Sequence, residues 1–135
     1  MSPEEFKINP IDSRQLVLKV IPMPADCNAD GDIFGGWIMA QVDQAGAVLP
    51  LRVAKTRVVT VAVDKFIFKE RVFVGDVLTF YSTIKKIGNT SITVDVEVFS
   101  ERNRGRDQII KVTEACLTYV AIDEHNKPCP VRTIV

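Results

Sequence analysis

Four residues in one stretch, Asn28, Gly35, Gly36 and Asp43, have the types and spacing that chemistry uses. Asp43 stands beside an apolar stripe of Ile38, Val42, Ala45, Leu49 and Val53. Their spacing makes one face of a helix. A carboxylate on so apolar a helix is costly to bury unless it is paired or used. Used, it is a general base or a nucleophile. Unused, it turns toward solvent or pairs with a basic residue, and spacing alone leans to that plainer role. Gly35 and Gly36 open the helix. Such a pair can be only a turn, or it can leave unobstructed N–H groups at a helix start, which hold a developing oxyanion. Asn28 tolerates the left-handed conformations of a turn.

These residues need elements to position them. Arg14–Ile21 reads as a first strand, closed by Pro22 and Pro24. Residues 26–36 form a turn-rich loop. The helix is expected from about Gly36 to about Lys55, kinked or shortened at Pro50. The period then changes. Val58 to about Phe66 is a β-branched strand, Ile67–Gly75 a connection, and Val77–Ile87 a strand ending in a Gly88-Asn89 turn. Thr90–Glu101 alternates, with Ile92, Val94, Val96 and Val98 on one side and Thr93, Asp95 and Glu97 on the other. A turn over 103–107 leads to a last strand, Gln108–Ile122, and an irregular polar tail. Short turns between the last three strands favour an antiparallel meander. One helix can cover one face of such a sheet if the sheet curls around it.

The chain of 135 residues suits one domain, with a core over about 14–122 between an irregular arm and tail. Seventeen basic and seventeen acidic residues balance, so no electrostatic footprint for nucleic acid or membrane is present. Cys27, Cys116 and Cys129 are an odd number without paired short spacing, so no disulfide or zinc framework is read. With no signal-peptide pattern and no membrane-spanning apolar run, the expected location is cytoplasmic. The sole histidine, His125, lies in the polar tail.

Asn28, the Gly31-Asp32-Ile33-Phe34-Gly35-Gly36 run, Asp43 and Ala45-Gly46 together resemble the signature of the hotdog-fold acyl-CoA thioesterases. Within them the sequence is most similar to short bacterial single-domain enzymes of the YciA type. The resemblance continues through Val59–Asp64, Phe68 to Gly75-Asp76, Thr90-Ser91 and Thr113-Glu114-Ala115. It implies an α+β hotdog fold, a curled antiparallel sheet of about five strands around one long central helix. It also implies a dimer with its two sheets joined edge to edge, further assembly as a trimer of dimers, and active sites at the dimer interface. The reaction implied is hydrolysis of fatty acyl-CoA to free acid and CoA, with no metal or redox cofactor; CoA enters as part of the substrate. Many relatives carry histidine where this chain has Phe34, a departure that removes a polar side chain near the thioester.

Under that resemblance Asp43 becomes the catalytic carboxylate, as general base or nucleophile, and the Gly36 N–H, with Gly35 beside it, the oxyanion donor. Asn28 of the opposite subunit orients water or the substrate carbonyl. Asp32 reads as a loop-capping acid, Thr60 as a contact near the thioester, and Asp64 as the partner of a lysine or arginine. For the CoA portion the candidates are Arg71, Lys86, the Gly88-Asn89-Thr90-Ser91 turn and Lys111, by charge, backbone donors and hydroxyls. Charge runs of this kind are as often plain solvated faces. Two rivals remain. A hydroxyacyl dehydratase uses a histidine with a carboxylate, and this chain has no histidine before His125. A non-catalytic acyl-CoA-binding module would keep the fold without needing Asp43.

Overall fold

The computed structural model describes residues 13–102, 104, 106 and 108–131. The elements run β1 (Gln15–Val20), a single 3₁₀ turn (Pro24–Asp26), α1 (Gly35–Ala54), β2 (Arg57–Phe68), β3 (Val77–Ile87), β4 (Ser91–Glu101) and β5 (Ile109–Ile122). The expected arm over 1–13 falls almost wholly outside the described residues, as do positions 103, 105 and 107 of the expected turn and the end of the tail.

All five strands form one antiparallel sheet in the order β1-β3-β4-β5-β2. The meander of β3, β4 and β5 is the expected one. β1 and β2, on either side of the helix in sequence, take the two edges. Every adjacent pair carries a register shift: at Leu16/Leu18, Thr60/Ala62, Val63/Lys65, Ile84/Lys86 and Val98/Phe99. Bulges add local twist and bend, and the sheet curls around α1.

The helix lies where the stripe requires. Ile38, Val42, Ala45, Leu49 and Val53 are all buried, against the inward side of β4, where Ile92, Val94, Val96 and Val98 have no exposed surface. Thr93, Asp95 and Glu97 face the other way, as the alternation predicts. Pro50 does not shorten the helix. α1 keeps 20 residues and ends on Lys55, whose left-handed conformation lets its N–H reach the Leu51 carbonyl at 3.1 Å. Burial of Leu49, Pro50, Val53 and Ala54 holds the last turn despite the bond that proline cannot make.

β2 is longer than its β-branched run suggests, extending to Phe68, because its partner β5 continues the ladder to Phe68↔Thr113. Its other side is an open edge, with Val59, Val61 and Val63 exposed. On the convex face a chain of ion pairs crosses the sheet: Lys69–Glu114 at 3.5 Å, Glu114–Lys111 at 2.7 Å, Lys111–Glu97 at 2.9 Å and Glu97–Arg14 at 3.8 Å. Among the described residues no helix is long and apolar enough to cross a membrane.

Candidate active site

Asp43 is half-buried on the side of α1 that meets β2 and β5. It is not turned away to solvent, and among the described residues no cation pairs with it. Two hydroxyls converge on one of its oxygens instead. Thr60 Oγ1 donates to Oδ1 at 2.7 Å. Tyr119 Oη lies 3.0 Å from the same Oδ1 and donates to the Asp43 backbone carbonyl at 2.7 Å. Thr60 faces inward in the same phase as Val58, which packs on the core, and stands opposite Tyr119 just before the ladder shifts. Oδ2 has no partner among the described residues, so one edge of the carboxylate is anchored and the other is open.

Asn28 is also anchored by one atom. Its Oδ1 accepts the N–H groups of Asp30 at 2.9 Å and Asp32 at 3.1 Å. Its own N–H donates to the Asp32 carbonyl at 2.7 Å. The turn depends on Gly31, whose φ of +86° is left-handed. The side-chain Nδ2 of Asn28 donates to nothing among the described residues. One end of the side chain thus serves the turn, and the other is left open.

The same division holds at the glycine pair. The first turn of α1 uses the Phe34 carbonyl for the N–H groups of Trp37 and Ile38, at 3.1 and 3.3 Å. The N–H groups of Gly35 and Gly36 have no acceptor among the described residues. A Cβ on Gly35 would stand 3.2 Å from the Phe68 ring, whereas one on Gly36 would meet nothing within 4 Å. Gly35 is thus a close-packing position and Gly36 the open donor. Phe34, just before them, exposes its ring. A groove of about 490 Å³ runs past this helix end, lined by Ile33, Gly35, Ile38, Phe68 and Val72 among others.

Seven positions separate Gly36 from Asp43, about 10 Å along the axis at about 1.5 Å per residue. The Asn28 loop sits at the same helix start, since the Phe34 N–H bonds the Asp26 carbonyl. In one chain the Asp43 backbone thus stands about two helical turns from these donors.

The expected CoA contacts also divide. Arg71 lies at the helix start, its Nε and Nη2 both on Asp32 Oδ1, at 2.8 and 2.6 Å. Asp32 is accordingly an ion-pair partner and not the expected loop cap; Asn28 takes the capping role. The Gly88–Ser91 turn lies at the other end, because Ser91 pairs with Val120 and Val120 with Val59. Much of its backbone is committed. The Gly88 N–H bonds the Ser91 carbonyl, while the Thr90 and Asn89 carbonyls accept from Ala121 and Val131. Asn89 and Lys86 are exposed, and Lys86 has no ion pair among the described residues. Lys111 is on the convex face, its ammonium spanned by Glu97 and Glu114. Those carboxylates, Glu114 first, raise its pKa above the usual lysine value. It is not a free cation. Asp64, expected to pair, is exposed and has no ion pair among the described residues.

Tyr119 has no place in the sequence reading. Its inward phase with Leu117 and Ala121 was available, and a buried tyrosine hydroxyl generally needs a partner. Which helix residue it would meet depends on the packing of α1 over β5.

The family model of the thioesterase superfamily matches residues 30–105. The acyl-CoA thioester hydrolase YciA of Salmonella typhimurium is 46% identical over 119 residues, covering 87% of this chain and 90% of its own. A hexameric thioesterase from Yersinia pestis superposes with a TM-score of 0.84 at 46% identity, covering 89% of this chain and 97% of that one. A hexameric hotdog fold thioesterase of Campylobacter jejuni gives 0.82 at 44% identity, with 87% and 90% covered. With one curled sheet around one helix and agreement over most of its length, the chain belongs to the thioesterase superfamily, among the hotdog-fold acyl-CoA thioester hydrolases of the YciA type.

Proposed function

We propose that this protein hydrolyses acyl-CoA thioesters, in a site that two copies of the chain build together. The observation that carries the reading is the Asp43 carboxylate, fixed at Oδ1 by Thr60 and open at Oδ2, on a helix face otherwise apolar. Asp43 of one subunit takes a proton from water. The water oxygen attacks the thioester carbonyl carbon. The N–H of Gly36 in the partner subunit receives the oxyanion, and the free amide of Asn28, also from the partner, orients the carbonyl or the water. The tetrahedral intermediate then expels the CoA sulfur, which takes the proton back from Asp43. Acid and CoA thiol account for every atom of thioester and water.

The open edge of β2 supports the assembly. An exposed strand edge bearing Val59, Val61 and Val63 is a template for a second strand. Pairing two β2 edges antiparallel would bring the helix start of one copy toward the helix middle of the other. It would also join the two separated groups of CoA contacts, Phe34 and Arg71 from one end and Lys86 with the Gly88–Ser91 turn from the other. The relatives from Yersinia and Campylobacter are hexameric, and a trimer of such dimers is the arrangement we assign here.

The test is thiol release from short, medium and long acyl-CoAs by wild type and Asp43→Ala. Wild type is expected to turn over, and the variant to lose about 10²- to 10⁴-fold in kcat, the usual worth of a positioned acid or base. Binding without release by wild type would point to a binding module instead. A variant as fast as wild type would remove Asp43 from the mechanism.

A further inference from the structure

We infer that Tyr119 is a positioning residue for the Asp43 carboxylate, and that position 46 is glycine so that the phenol can reach it. The inference rests on the function proposed above and extends it to two residues outside the reacting groups.

Tyr119 projects from β5 into the core and is 1% exposed. Its hydroxyl is 2.7 Å from the Asp43 carbonyl and 3.0 Å from Oδ1. A carbonyl oxygen has two lone pairs, so the phenol can bond it without displacing the helical N–H. From β2, Thr60 meets Oδ1 at 2.7 Å. Two strands therefore hold one carboxylate oxygen and the helix carbonyl beside it, and this fixes the plane of the carboxylate. A side chain free to rotate would spend most of its time with neither oxygen aimed at a substrate.

The close approach needs a gap in the helix surface. A Cβ at Gly46 would lie 2.5 Å from Tyr119 Oη, 3.3 Å from Cζ and 3.4 Å from Cε1. The ring is buried on all sides and has nowhere to retreat. Glycine inside a helix is a poorer helix former than alanine, and Gly46 occupies the middle of α1. The phenol supplies the reason for keeping it there. Burial, and then the charge of Asp43, hold the phenol proton well above its ordinary pKa. Tyr119 therefore remains a neutral donor wherever Asp43 is charged. The groups that meet Asp43 are Thr60 from β2 and Tyr119 from β5, and among the described residues no ion pair reaches it.

The experiment compares Tyr119→Phe, Gly46→Ala and the double variant with wild type in steady-state thiol release across pH. Tyr119→Phe is expected to lower kcat by about tenfold or more, the scale of one hydrogen bond to a charged group, with KM within about twofold. The acid limb of kcat should move to higher pH, because a carboxylate that loses a donor holds its proton more tightly. Gly46→Ala should cost a similar factor when Tyr119 is present. Added to Tyr119→Phe it should cost less than about threefold, since the two changes break one contact. A Tyr119→Phe enzyme with kcat within about twofold of wild type and an unmoved acid limb would overturn the inference, whatever its melting temperature. If Tyr119→Phe does not fold, Gly46→Ala decides: an unchanged kcat overturns the inference, and a lowered kcat with unchanged KM and a shifted acid limb supports it. An inactive wild type would sink the proposed function and this inference together, whereas an active wild type with an indifferent Tyr119 would sink only this one.

Discussion

Mixing two dead subunits should restore activity. Gly36 and Asp43 of one chain are about 10 Å apart along α1, and Asn28 sits at the Gly36 end. In the proposed two-copy site the Asp43 carboxylate comes from one subunit and the donors from another. Asp43→Ala removes the acid from its own chain, and Asn28→Ala removes the amide. Each variant alone has no intact site. When the two are unfolded together and reassembled in equal amounts, a site is intact only if its acid comes from an Asn28→Ala chain and its amide from an Asp43→Ala chain. Random pairing across a two-fold interface makes that true of about one quarter of all sites. Thiol release per total subunit should therefore recover to about one quarter of wild type, with KM unchanged, and should follow the product of the two subunit fractions as the ratio is varied. Asn28→Ala is the softer lesion, so its residual rate is subtracted as the sum of the unmixed variants. A mixture no faster than that sum would refute the reasoning, because it would mean that both groups act from the same chain.

Two further outcomes follow from the same geometry. In a single turnover in ¹⁸O-labelled water with enzyme in excess, the label should appear in the free acid and none in Asp43, since a carboxylate held at Oδ1 by Thr60 and Tyr119 is braced as a base; a heavier Asp43 peptide by mass spectrometry would show a nucleophile instead. Lys111→Met should leave KM for acyl-CoA within about twofold of wild type, because the ammonium is committed to Glu114 and Glu97. Its effect should be on stability. The lysine pKa is raised above 10.5, so its contribution is full below that value and fades as pH rises through the raised one. Lys111 lowers the Glu114 pKa below 4.5, so that contribution is present above this value and fades as pH falls through the lowered one. The difference in melting temperature between variant and wild type should thus be largest between about pH 5 and 10 and shrink on either side; a KM raised tenfold at neutral pH would return Lys111 to the substrate.

Periodicity carried most of the fold because it is a local property. The five-residue stripe of α1 and the alternation of β4 each report which side of one element is apolar, and burial followed both. What periodicity cannot report is how far pairing continues. β2 runs on to Phe68 because β5 is there to pair with it, and α1 runs past Pro50 because its last turn is buried. The candidate site divides along the same line. Asn28, Gly35, Gly36 and Asp43 were legible because they lie within sixteen positions of one another in the sequence. Tyr119 stands 76 positions from Asp43 and Thr60 stands 17, and both depend on ladder registers that no local pattern encodes. Gly46 shows the difference within a single residue. In the sequence it is part of a family signature with no assigned task. Only the 2.5 Å between its missing Cβ and the Tyr119 hydroxyl gives it one. The ion pairs repeat the lesson: Asp32, Arg71 and Lys111 are charges whose meaning is set by the partner each one finds. A charge count gives the supply of cations for a phosphate, and the fold determines which of them are left to bind it.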